Sequence, residues 1–370
     1  MKKILIACDK FKGSLSAYEV NEAVRRGMSR SIEGAEFVNC IIADGGEGFV
    51  QALVDAADGE MCCTVVEDAL GRAVEAEWGL IPDGGGKAAV IEMSAASGLW
   101  RIAEEERDIM RASTYGTGQL IQAARSHPEV QRIYIGLGGS ATNDGGAGMA
   151  QALGAKFYDA QGAEITARMC PALLPTVARV VLPEPSAHVV TVACDVDSPL
   201  CGPLGASAVF GPQKGATPEL VATLDTILGA FAQLCAREDL STVPGAGAAG
   251  GMGFGLMTFA QAELVSGFDL VAQAVGLQEQ IATADLVVTG EGKLDSQSLA
   301  GKGPIGVAQL AQAAGKPCLA VAGGMDADVA WSDYFQDYAS LSQTGLPLSE
   351  LMTNAETYLV EIATQLAGRV

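Results

Sequence analysis

The chain opens and closes in one pattern, an apolar strand, a polar loop and a helix, and few folds accept that pattern at both ends. Near the N-terminus Ile4-Leu5-Ile6-Ala7-Cys8 runs into Asp9-Lys10-Phe11-Lys12-Gly13-Ser14. A helix is expected next over Ala17–Ser29, with Ser16 and Glu19 spaced as a capping box. A strand over Phe37–Ile42 and a helix over Gly48–Ala57 continue the alternation. From Asp285 it returns, with strands over Asp285–Thr289, Cys318–Ala322 and Tyr338–Leu341 and helices over Ile305–Ala313 and after Pro347. Between these ends, Val65–Met93 reads differently: short runs broken at Gly71-Arg72 and at Pro82-Asp83-Gly84-Gly85-Gly86 predict antiparallel hairpins. A chain of 370 residues exceeds one typical core. The expected fold is therefore α/β with two domains. One is a doubly wound, mainly parallel sheet domain built from both termini, residues 1–65 and 260–370; the other is an inserted α/β domain with antiparallel hairpins, residues 66–259.

The stretch most suggestive of chemistry is Gly136-Leu137-Gly138-Gly139-Ser140-Ala141-Thr142-Asn143-Asp144-Gly145-Gly146-Ala147-Gly148, after a strand-like run and before an apolar periodic one. Strand, glycine-rich loop and helix form a common phosphate-binding arrangement, because exposed amides and a helix N-terminus attract anions. The chain has no G-x-x-x-x-G-K-[ST] run, so a P-loop is excluded. Gly136–Ala141 matches the relaxed dinucleotide pattern, which raises a nicotinamide-dependent oxidoreductase as the alternative. Its helix would start late, after Thr142-Asn143-Asp144-Gly145-Gly146, which suits a phosphate chain better than a tight dinucleotide turn. An echo of the loop, Asp-Gly-Gly-x-Gly-apolar, occurs at Asp44–Phe49.

Four further loops carry charge. Lys12 follows the first strand, where ligands of open α/β sheets bind. Asp195 and Asp197 follow a strand over Val189–Cys194, in position to hold Mg²⁺ or to act on an alcohol. Lys214 sits in Phe210–Ala216 between glycines, ahead of a helix started by Thr217-Pro218. Thr289–Pro304 holds Glu291, Lys293, Asp295 and Lys302 among glycines. The two histidines, His127 and His188, are far apart, so a histidine zinc site is not expected. Acids, lysines and amides without a histidine-based triad suit phosphoryl transfer. The net charge of −21 argues against nucleic acid and anionic membrane surfaces as partners. Nine cysteines without CxxC spacing, and no apolar run long enough to span a bilayer, point to a reduced, cytoplasmic protein.

Taken in order, Phe11–Ala17, Ala43–Gly48, Gly116–Ile121, Gly136–Met149, Ala193–Gly202, Phe210–Ala216, Pro244–Gly255 and Thr289–Ala308 make the sequence resemble the bacterial glycerate kinase family over essentially its whole length. The resemblance implies ATP-dependent phosphorylation of D-glycerate, 2-phosphoglycerate being favoured over 3-phosphoglycerate, in a cleft between two α/β domains. It leaves a homo-oligomer open. From the loops themselves, amides around Gly138, Gly139, Ser140, Thr142, Asn143 and Gly145, with Gly290 and Glu291, are expected to hold the ATP phosphates. Mg²⁺ would sit on those phosphates with Asp195 and Asp44. Lys12 or Lys214 would pair with the glycerate carboxylate or the moving phosphoryl group, and Asp195 or Asp295 would orient the hydroxyl. Relatives usually read Ala-Pro-Asp-Ser-Phe-Lys at the first site; here Cys8 and Lys10 replace the proline and the serine.

Overall fold

The computed structural model describes residues 2–369 except 43–45, 47, 297, 301 and 302, with only the backbone of Ala300. In chain order its strands are β1 (Lys3–Cys8), β2 (Glu36–Asn39), β3 (Glu60–Glu67), β4 (Ala73–Asp83), β5 (Gly86–Glu92) and β6 (Val130–Gly136). There follow β7 (Lys156–Tyr158), β8 (Arg179–Val181), β9 (Val189–Ala193), β10 (Glu263–Val265), β11 (Leu286–Leu294), β12 (Cys318–Met325) and β13 (Asp337–Ser340). The chain divides into two compact units, Met1–Asp44 with Phe268–Val370, and Gly45–Gly267.

The first unit is a sheet of order β13-β12-β11-β1-β2, and all its pairings are parallel. From Ile4 to Cys8, β1 is fully buried, as a central strand covered on both faces must be. Helices Ala17–Ser29 and Ala355–Ala367 cover one face, packing on Ile4, Ile6, Val288 and Val321. The two helices approach closely at Gly27, where a Cβ would lie 2.5 Å from Val360 O. Helices Leu277–Thr283 and Pro304–Ala313 lie on the other face, which completes the double winding. Ser16 and Glu19 form the expected capping box.

The second unit carries a six-stranded mixed sheet, β10-β9-β6-β5-β4-β3. Its β5, β6, β9 and β10 run parallel, whereas β3, β4 and β5 form antiparallel hairpins. The β4–β5 turn is Gly84-Gly85, both at positive φ, as a two-residue hairpin loop demands. The units meet at 44/45 and 267/268, whereas the sequence suggested 65/66 and 259/260. Residues 49–67 go with the larger unit because β3 pairs along its length with β4 and the helix Phe49–Ala56 packs on β4 and β5.

Candidate functional site

Asp9–Ser14, the glycine-rich loop and the Asp195 loop leave the carboxyl ends of parallel strands, which is where open α/β folds place ligands. The stretch from Thr289, expected to be loop, instead continues β11 to Leu294, because it pairs with β12 that far, and Phe210–Ala216 follows the helix Ala206–Phe210. In the smaller unit, Asp9–Ser14 follows β1. Asp9 N donates to Gly290 O at 2.8 Å, carrying the β1–β11 ladder one residue further. Phe11 and Leu15 then exchange backbone hydrogen bonds around a turn at Gly13, burying Phe11 and leaving Lys12 exposed at the tip. Glu291 accepts from Ser298 Oγ at 2.6 Å, and Ser298 Oγ accepts from Asp295 N at 3.1 Å. Lys293 pairs with Asp295 at 3.2 Å and with Asp326 at 3.5 Å, an exposed arrangement worth little to stability. Lys12 and Glu291 line one pocket of ≈ 670 Å³, together with Asp9, Lys10 and Lys293. Gly290 does not line it. Buried within the sheet, that glycine is required by a Cβ clash at 2.1 Å with Val321 O.

In the larger unit, β6 and β9 are neighbours with Gly136 opposite Ala193, so the glycine-rich loop and Asp195 emerge side by side. Asp195 Oδ1 accepts from Ser266 Oγ at 3.3 Å and Gly267 N at 3.1 Å, which fixes the carboxylate at the ends of β9 and β10. The helix after the loop begins at Ala147, as late as expected. Gly46, from the echo of the loop, lies against it, since a Cβ on Gly138 would lie 2.5 Å from Gly46 Cα.

Most of the loop faces inward. Gly138 is half-buried and Gly139 exposed, while Ser140–Ala150 are buried. Asp144, wholly buried, accepts from Thr114 N and Thr114 Oγ1 at 2.9 Å and from Gly146 N and Gly148 N at 3.1 Å. Burial pushes its carboxyl pKa up, against the pull of those four donors. Asn143 Nδ2 donates to Ser207 Oγ at 3.0 Å. Thr142 Oγ1 and Asn143 Oδ1 are buried without a hydrogen-bond partner among the described residues. Gly145 N donates to Gly250 O at 3.0 Å, and a Cβ on Gly250 would lie 1.9 Å from Thr142 O. The loop glycines and those of Pro244–Gly255 therefore allow two backbones to touch.

Lys214 belongs to this interior. It is 1% exposed and donates to Ser140 Oγ at 2.9 Å and Thr142 O at 2.7 Å, tying the loop from within. Burial lowers its pKa from 10.5 to about 7, with the Asp144 charge opposing the fall. Between those two pH values the unfolded chain holds a proton that the folded one has lost, so stability rises with pH across the window. The Lys214→Met protein lacks this term. Urea unfolding from pH 7 to 9 should show the wild type gaining stability relative to it, and parallel pH curves would contradict the lowered lysine pKa.

Of the expected residues, Lys12 and Glu291 come together in one unit, and Gly138, Gly139 and Asp195 lie at one sheet end in the other. Ser140, Thr142, Asn143, Gly145 and Lys214 hold the loop in shape. Asp44 and Lys302 lie outside the described residues. Sequence reasoning passed over Thr114 and Ser266, because their partners are 30 and 71 residues away. Among the described residues no group of three or more His, Cys, Asp or Glu forms a metal cage.

A family model described as the glycerate kinase family matches residues 4–370. A glycerate kinase of Bacillus subtilis (strain 168) is 42% identical over 377 residues, spanning 100% of this chain and 97% of its own. A protein of Escherichia coli (strain K12) named glycerate 2-kinase is 47% identical over 335 residues, 88% of this chain and 86% of its own. A crystal structure from Salmonella typhimurium LT2, assigned as glycerate kinase 2, superposes with a TM-score of 0.85 at 42% identity, covering 100% of this chain and 98% of that one.

Proposed function

The chain belongs to the glycerate kinase family, and from that premise we propose that it transfers the terminal phosphoryl group of ATP to D-glycerate. The 2-hydroxyl is the favoured acceptor, in keeping with the name of the Escherichia coli relative. The observation that carries the reading is the placement of Lys12, Gly138, Gly139 and Asp195 just past carboxyl ends of parallel strands, with Glu291 in the carboxyl half of β11. The nicotinamide alternative has no support, since the relatives are named as kinases and the loop it rests on is mostly buried.

In this reading Lys12 supplies a mobile positive charge for a phosphate or carboxylate, and the Gly138 and Gly139 amides face phosphate oxygens. Asp195, held by Ser266 and Gly267, accepts the hydrogen of the attacking hydroxyl and orients it. Asp295 takes a supporting part through Lys293 and Ser298. Lys214 acts by keeping Ser140 and Thr142 in place. Mg²⁺ bound to a nucleotide keeps water and phosphate oxygens and asks one or two carboxylates of a protein, which a single strand-end Asp195 fits. When bound, it neutralises phosphate charge. Among the described residues no helix is long and apolar enough to cross a membrane. A cytoplasmic setting suits nine free cysteines.

Phosphorus NMR of the mixture made from D-glycerate, ATP and Mg²⁺ tests the proposal. A phosphomonoester resonance split by a single proton is expected. Splitting by two protons would move the acceptor to the 3-hydroxyl, and an unchanged ATP spectrum would sink the kinase reading.

A further inference from the structure

Resting on that reading, we infer that the ≈ 670 Å³ pocket of the smaller unit takes the purine nucleoside of the phosphoryl donor, and not glycerate. Its place in the fold is the first argument. The chain passes from β1 to β2 on one side, while β11, β12 and β13 build out on the other. The crevice outside β1 and β11 is thus the switch point, and Asp9, Lys12 and Glu291 open onto it.

Size and chemistry then separate the two substrates. The volume falls within the range of about 300–1,000 Å³ typical of drug-sized ligands, and a three-carbon acid would leave most of it to water. One wall is apolar, formed by Leu346 and by Leu348, Leu351 and Met352 of the helix Leu348–Thr353. Leu348 is 72% exposed and Met352 41%. A flat heteroaromatic ring would cover that apolar surface, whereas glycerate has almost nothing to bury there.

The lining also includes bare backbone, from Gly292, Gly323 and Gly324 near the ends of β11 and β12. Packing accounts for Gly323, whose Cβ would lie 2.4 Å from Gly292 O. It does not account for Gly324, whose Cβ would meet only Lys293 Cγ at 3.9 Å. Space has been kept there that the fold does not need. Among the polar lining residues Lys10 and Lys12 match the phosphates by charge. Asp9 and Glu291 beside them suit ribose hydroxyls, which donate, and would repel the carboxylate of glycerate.

The test uses the full-length protein, steady-state kinetics and a fluorescent probe, methylanthraniloyl-ADP. Gly324→Val places a β-branched side chain in the kept space, on a strand that favours it. Its KM for ATP and Kd for the probe should rise at least about tenfold, with KM for D-glycerate within about twofold. Met352→Glu, at an exposed helical position, should shift both nucleotide constants in the same direction and decides the matter if Gly324→Val melts early. A rise in glycerate KM alone, or nucleotide constants unchanged in both variants while phosphoglycerate still forms, would overturn the pocket and leave the kinase reading intact. Weakened probe binding in the variants, without phosphoglycerate from the wild type, would uphold the pocket and defeat the kinase reading.

Discussion

Asp144→Ala should lower the free energy of unfolding by about 3–5 kcal/mol, the scale on which stripping a buried charge from its partners is felt. The carboxylate collects Thr114 N, Thr114 Oγ1 and Gly148 N on Oδ2 and Gly146 N on Oδ1. Alanine would leave those buried donors unmatched, at roughly 1–3 kcal/mol each before relaxation. Relief of the buried charge offsets part of that sum, which is why the net figure is smaller. Asparagine should not rescue. Either orientation of its amide turns an NH₂ group toward at least one donor that Asp144 now satisfies, and one orientation faces it toward three. Urea unfolding measures the loss, and limited proteolysis should begin within Gly136–Gly148. A loss under about 1 kcal/mol would mean that Asp144 does not anchor the loop.

What could be read in advance was local. The buried run Ile4–Cys8, the Ser16–Glu19 capping box, the Thr217-Pro218 helix start and the late helix after the glycine loop depend on neighbours in sequence, and each has its expected place. The carboxyl-end position of Lys12 and Asp195 followed from strand and loop order alone. What escaped was tertiary. Lysine is ordinarily solvated, and nothing near Lys214 in sequence signals an acceptor 74 residues back at Ser140. Gly145 looked like an amide donor for a phosphate, but its N–H goes to Gly250 O, because spacing cannot distinguish a bare backbone that faces a ligand from one that faces another backbone. Ala249, Gly250 and Gly251 show the same limit: inside an apolar helical run they take left-handed conformations, so that Thr142 and Gly145 can approach. The place of β3 was missed because a strand next to a helix resembles a crossover until its hairpin partner is known.

Asp195→Asn should lower kcat about 10²- to 10⁴-fold, the range that a positioned acid–base group contributes. The substitution is close to isosteric. Asparagine Oδ1 can still accept from Ser266 Oγ and Gly267 N, so the ends of β9 and β10 keep their link, and the melting temperature should move little. The negative charge and one acceptor oxygen are lost, and with them the ability to draw a hydroxyl proton and to share a cation with the phosphates. KM for D-glycerate should change less than kcat, because the acid acts on the developing alkoxide more than on the bound alcohol. Ser266→Ala separates positioning from chemistry. It keeps the charge but removes the Ser266 hydrogen bond that helps to aim it, and should cost roughly tenfold or less. If Asp195→Asn retains kcat within a few-fold of wild type at saturating Mg²⁺, the acid is a strand-end cap and the hydroxyl is oriented by another group.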